Sequence, residues 1–73
     1  MPPKDYIQTR REIDRISNEY HYGEISFSHW AVEFLRYCNI QAYKLDNGVV
    51  VKLAGLPKYC QTEWEVRQLQ NIF

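Results

Sequence analysis

The chain has 73 residues, of which 45% are hydrophobic, 25% charged and 15% aromatic, and nine basic side chains balance nine acidic ones. That length suits one domain, and the balanced charge excludes a polybasic nucleic-acid tail, an acidic disordered segment and a collagen-like or linker-like chain. No apolar run approaches the ~20 residues of a membrane span.

The opening Met1-Pro2-Pro3-Lys4-Asp5 reads as neither a signal peptide nor a myristoylation site. Residues 1–73 are therefore expected to form a single compact domain in the cytoplasm. A chain this short buries only about 60% of its unfolded surface, so a disulfide, a metal or a partner usually assists it. The two cysteines, Cys38 and Cys60, read as free buried thiols in a leaderless chain. That leaves a partner subunit, a second copy of the chain included, as the expected help.

Taken in order, residues 6–20 are predicted to form a helix. Asp5 can cap it, with Gln8 in capping-box register. Tyr6, Thr9, Ile13, Ile16 and Tyr20 fall on one face, and Gln8, Arg11, Arg15 and Asn18 lie opposite. Gly23, able to take a positive φ, should end it. Glu24-Ile25-Ser26-Phe27 alternates apolar and polar residues and reads as a brief strand. Ser28 then caps a second helix, with Phe27 stapled against Val32. Trp30, Ala31, Phe34, Leu35, Tyr37 and Cys38 give that helix a broad apolar face, marking it as the centre of the core. His29, Val32, Glu33 and Arg36 are left outside, and Asn39 suits the left-handed residue that ends it.

Residues 40–55 carry the sharpest local signal, a β-hairpin around Asp46-Asn47-Gly48. A two-residue Asn-Gly turn would place Ile40, Ala42, Lys44, Val51 and Leu53 on one face, mixing a lysine into the core. A three-residue loop with Gly48 left-handed shifts the pairing by one. Tyr43, Leu45, Val49, Val51 and Leu53 then share the buried face, and Ala42, Lys44, Val50 and Lys52 share the outer one. The second register separates apolar from basic and is the expected one. A two-stranded hairpin is marginal alone, so residues 24–27 or another chain are expected to extend it.

Residues 62–73 read as a third helix, with a capping box between Thr62 and Glu65 and an inward face of Thr62, Val66, Leu69 and Phe73, with Ile72 at its edge. Glu63-Trp64-Glu65-Val66-Arg67 also alternates like a strand. The fold class expected is α+β: three helices with a small antiparallel sheet built on one β-hairpin, in the order α-(β)-α-β-β-α.

Catalytic chemistry finds little support. Neither His21 nor His29 sits in a short motif with a nucleophile, and no Gly-x-Ser-x-Gly, phosphate loop or His-Glu-x-x-His occurs. Cys38 or Cys60 could pair with a histidine as nucleophile and base, but Cys38 on an apolar helix face reads as a small hydrophobe. His21, His29, Cys38 and Cys60 offer zinc-type atoms without the short spacing that structural zinc sites use. No catalytic residue, metal or cofactor is therefore expected.

Two binding functions compete. Trp64 points away from the inward face of the last helix, where an exposed tryptophan tends to be an anchor; equally, it can fold back over Pro57 and Tyr59 and close the core. The hairpin edge can accept another strand. These features point to a small non-enzymatic regulator, inhibitor or adaptor that contacts a protein through Trp64, Tyr59, Lys44 and Lys52. The alternative is a winged-helix-like nucleic-acid binder, with Arg11, Arg15, Lys44 and Lys52 on phosphates. Against it, the helix preceding the hairpin offers few groups to base edges, and Glu12, Asp14 and Glu19 stand ready to neutralise the arginines.

Overall fold

A computed structural model describes residues 3–72, with side chains from 7 to 70. Over these residues the chain forms α1 (Pro3–His21), α2 (Phe27–Tyr37), β1 (Ala42–Leu45), β2 (Gly48–Leu53), β3 (Leu56–Cys60) and α3 (Glu63–Ile72). It is an α+β fold in which one antiparallel sheet, ordered β1-β2-β3, packs against helices.

Helix α1 begins at Pro3, where a missing N–H costs nothing because the first turn has no intrahelical acceptor for it. Asp5 therefore lies inside the helix rather than before it. The side chains of Tyr6 and Ile72, and the whole of Phe73, lie outside the described residues. Ile16 and Ser17 are buried, with Ile13 and Tyr20 packed beside them. At the C-terminus, Glu24 N donates to Glu19 O and Gly23 N to Tyr20 O, and Gly23 takes φ 80°. That pair of bonds is the Schellman arrangement, which satisfies carbonyls the helix leaves open. Asn39, at φ 62°, ends α2 in the same way, with Ile40 N donating to Leu35 O.

The expected strand at residues 24–27 does not form. Ser26, not Ser28, caps α2, its hydroxyl accepting from His29 N at 3.1 Å. Glu24 and Ile25 instead form a bend, and Phe27 is already the first residue of α2. Ser28 is freed for another task and donates its hydroxyl to Leu45 O at 2.7 Å, tying α2 to the end of β1.

Trp30, Ala31, Phe34 and Leu35 are buried, and α2 packs against α1, β1, β2 and α3, as befits the central core helix. Each large side chain so removed from water contributes about 1.5–3 kcal/mol. Tyr20 stacks on Trp30 with centroids 5.3 Å apart, and Trp30 Nε1 donates to the buried Ser17 hydroxyl at 3.0 Å. Arg67 from α3 lies over the rings of Trp30 and Phe34 at 5.5 and 5.3 Å.

The third strand comes from Leu56–Cys60, after a second turn that pairs Leu53 with Leu56. Its two loop residues, Ala54 and Gly55, both take positive φ, 51° and 83°. That is the backbone of a type I′ hairpin turn, whose twist matches the flanking strands. Pro57 is tolerated because β3 is an edge strand.

The first hairpin departs from the expected register. Leu45 pairs with Gly48, so Asp46 and Asn47 form a two-residue loop and Gly48 opens β2. On β2 the expected division holds, with Val49 and Val51 buried and Lys52 exposed. On β1 it is reversed. Ala42 and Lys44 share the helix-facing side with Val49 and Val51, and Tyr43 and Leu45 face outward. The lysine is accommodated because β1 is an edge strand, where a long side chain can carry its charged end to water.

At α3 the helical reading is the observed one. Glu65 N donates to Thr62 Oγ1 at 3.2 Å, and Glu65 Oε1 accepts from Gln61 N and Thr62 N at 3.0 and 3.1 Å. Val66 and Leu69 are buried against the core.

Candidate interaction surface

Residues directly opposite in an antiparallel sheet share a face. Tyr43 pairs with Val50 and Val50 with Tyr59, so these three form one row across the sheet. A neighbouring row runs from Leu45 to Gly48, and on the other side Lys52 pairs with Pro57. Val49, Val51 and Cys60 occupy the alternate positions and lie in the core with the helices. The rows of Tyr43 and Leu45 therefore form the outer face of the sheet, turned away from the helices.

That face is apolar and wet. Tyr43 is 48% exposed, Tyr59 59% and Leu45 40%. Between its larger side chains the central strand contributes only Gly48 and Val50 before Lys52. A cleft of ≈ 320 Å³ lies beside Gly48, walled by Leu45, Tyr59, Gln61 and the Asp46-Asn47 loop. Gly48 is buried because its backbone lies against β3, and a β-carbon there would run into the carbonyl oxygen of Cys60.

Of the residues singled out from sequence for protein contact, Tyr59 and Lys52 stand on this face. Lys44 does not; the register puts it on the opposite face of the sheet. Trp64 stands on α3, 70% exposed, so the reading in which it closes the core is not the one adopted. Tyr43, Leu45 and Val50 were missed, since the expected register buried the first two. The signal that would have found them is Leu53-Ala54-Gly55-Leu56, a second turn that makes β2 a central strand.

The basic residues do not converge either. Arg15 is engaged by Glu12 at 2.7 Å and Glu19 at 2.9 Å on the exposed side of α1, a solvated ion network. Arg11 is exposed on the same helix. Lys44 and Lys52, on opposite faces, cannot present one phosphate-binding side.

His21 Nε2 lies 3.0 Å from Glu63 Oε1, and Arg67 Nε donates to Glu63 Oε2 at 2.9 Å. This joins the end of α1 to the start of α3. Partial burial works against the Glu63 charge, but the bonds to His21 and Arg67 outweigh it and hold the carboxyl below its usual range. Burial pushes both the Cys38 and Cys60 thiols up, which lowers their thiolate fraction. Both are free, Cys60 within the core. Among the described residues no three His, Cys, Asp or Glu side chains gather as a metal site.

No family model, curated protein or solved structure matches the chain.

Proposed function

We propose that this protein is a small non-enzymatic regulator, inhibitor or adaptor that binds another protein through the outer face of its sheet. The observation that carries this reading is the row Tyr43–Val50–Tyr59, both of its tyrosines exposed, with the exposed Leu45 beside it. Contiguous apolar patches on small proteins mark interaction sites, and tyrosine is enriched in the centres of interfaces because it joins a large apolar ring to a hydroxyl. Lys52, Asn47 and Gln61 supply the polar rim that such an interface needs. Trp64 is a second, separate anchor on α3. The two free thiols support a reducing compartment such as the cytoplasm.

The test compares affinity capture by the wild-type chain and by a Tyr43→Ser, Tyr59→Ser variant with an unchanged thermal midpoint. Proteins retained by the first and lost by the second support the reading; identical capture by both overturns it. The alternative, a winged-helix-like nucleic-acid binder, requires duplex DNA binding that falls steeply with salt and is abolished by Lys44→Glu with Lys52→Glu.

A further inference from the structure

The two edges of the sheet differ in what their backbone offers. Leu45 pairs with Gly48 across a two-residue loop, so the backbone groups of Leu45 turn toward β2, and alternation turns those of Tyr43 the same way. The N–H and C=O groups of Ala42 and Lys44 then point out of the sheet at the free edge of β1. The same counting from the pair Leu53–Leu56 turns Pro57 and Tyr59 outward along β3, with Gln61 next in line. Pro57 has no N–H to give, and Gln61 N already donates to Glu65 Oε1 at 3.0 Å. The edge of β3 is therefore largely closed to a further strand. At β1 it is open: among the described residues no backbone group outside β2 bonds to the backbone of Ala42 or Lys44.

This edge fits itself, and in one register. A two-fold axis perpendicular to the sheet brings two β1 edges together antiparallel, with the helices of both copies on the same side. Only the outward-turned residues can exchange bonds across it. An axis at Ala42 sets Lys44 of the second copy opposite Ile40, whose N–H is already given to Leu35 O at 2.8 Å. An axis at Lys44 sets two lysines directly opposite, which is destabilising. An axis at Tyr43 pairs Ala42 with Lys44 of the second copy, and Lys44 with its Ala42, each pair exchanging both of its backbone bonds. The two Tyr43 residues then face each other as a non-hydrogen-bonded pair, with Cα atoms about 4.5 Å apart.

The side chains suit the same register. On the helix-facing side each lysine stands opposite the small Ala42. A cleft of ≈ 420 Å³ lies there, walled by Val32 and Arg36 of α2 and by residues 39–42. It receives the aliphatic stem of Lys44 from the other copy, and Arg36 in its wall is already paired with Glu33 at 3.1 Å. On the outer face the aromatic row becomes continuous, Tyr59–Val50–Tyr43 of one copy meeting Tyr43–Val50–Tyr59 of the other. A second copy also supplies the help that so short a chain, its two cysteines free, usually recruits.

We propose that this protein forms a two-fold dimer by joining its β1 edges into one continuous antiparallel sheet, with Tyr43 on the axis. The experiment is sedimentation equilibrium of the full chain, joined to cysteine crosslinking in a Cys38→Ala background. An interface this small belongs to the weak class below about 1,200 Å², so dimer should accumulate between about 10 μM and 1 mM. Tyr43→Cys should give a disulfide-linked dimer on oxidation, because a Cα separation of about 4.5 Å lies within the range disulfides span. Tyr59→Cys, on the same face but at the other edge, should stay monomeric under the same oxidation. Lys44→Pro removes a donor to the second copy and none to β2, so it should weaken association about tenfold or more while the amide shifts of β2 and β3 persist.

A chain still monomeric at about 1 mM, beyond the weak end of specific association, overturns the proposal. So does a dimer that a folded Lys44→Pro variant leaves intact. Crosslinking through Tyr59→Cys as readily as through Tyr43→Cys would overturn it too, by placing the second copy on the outer face instead of at the edge. If Lys44→Pro unfolds the chain, the contrast between the two cysteine variants decides alone. The protein-contact reading fails separately: a monomer that still captures a partner through Tyr43 and Tyr59 keeps that reading, and an edge-paired dimer that captures nothing keeps only this one.

Discussion

Gly48 lies so close to the carbonyl oxygen of Cys60 that no β-carbon fits between them. This approach ties the start of β2 to the end of β3, and Gly48 also lines the cleft on the outer face. Structure and proposed binding thus depend on one position. Gly48→Ala should cost about 3 kcal/mol, at the upper end of overpacking effects, because backbone rather than a flexible side chain has to give way. Chemical denaturation of the two proteins checks this. A loss below about 0.5 kcal/mol, the range of surface substitutions, contradicts the close approach.

The second turn makes the opposite prediction. Ala54 holds φ 51°, a left-handed conformation that costs a residue with a β-carbon about 1–2 kcal/mol. Asparagine tolerates that region better and favours the type I′ turn that Ala54-Gly55 forms. Ala54→Asn should therefore stabilise the protein by about 0.5–1 kcal/mol. In a chain this size, 1 kcal/mol corresponds to about 4–8 °C in the thermal midpoint. A lowered midpoint contradicts the assignment.

Trp64 separates stability from contact. With 70% of its surface exposed, Trp64→Ala should leave the unfolding free energy within about 0.5 kcal/mol of the wild type. Captured partners that use α3 should be lost at the same time. A large fall in the midpoint would instead make Trp64 part of the core.

Acid stability should carry the signature of Glu63. Its carboxyl is held below the usual carboxylate range in the folded protein, so its contribution is present above the unfolded group's pKa. That contribution is lost as pH falls through the lower, folded value. Thermal midpoints between neutral pH and the acidic end of the carboxylate range should therefore fall less for Glu63→Gln than for the wild type. Equal falls contradict the bond to His21 and Arg67.

The helices were largely legible because their signals are local. Gly23 and Asn39 end α1 and α2 in the left-handed conformation, Thr62 and Glu65 cap α3, and the apolar stripe of α2 is the core. The start of α2 moved by two residues because Ser26 and Ser28 are both acceptable caps. Only the tertiary bond from Ser28 to Leu45 O distinguishes them. The sheet was read half correctly for a related reason. Separating apolar from basic residues placed Val49 and Val51 inside but turned β1 over. What sets β1 is the pairing of Leu45 with Gly48 across a two-residue loop, in a sheet whose third strand lay beyond the expected hairpin. Of the candidate surface, Tyr59, Lys52 and Trp64 could be named in advance. Tyr43, Leu45 and Val50 required the register.

The most direct test of the central claim is site-specific photocrosslinking in cells, with a benzophenone amino acid placed in turn at Tyr43, Tyr59 and, on α1, Arg11. All three positions are exposed, so the probe should not disturb the core. A shared protein adduct from positions 43 and 59, absent from position 11, is the predicted result. An adduct from position 11 alone, or nucleic acid as the crosslinked species at 43 and 59, would contradict the outer sheet face as a protein-binding surface.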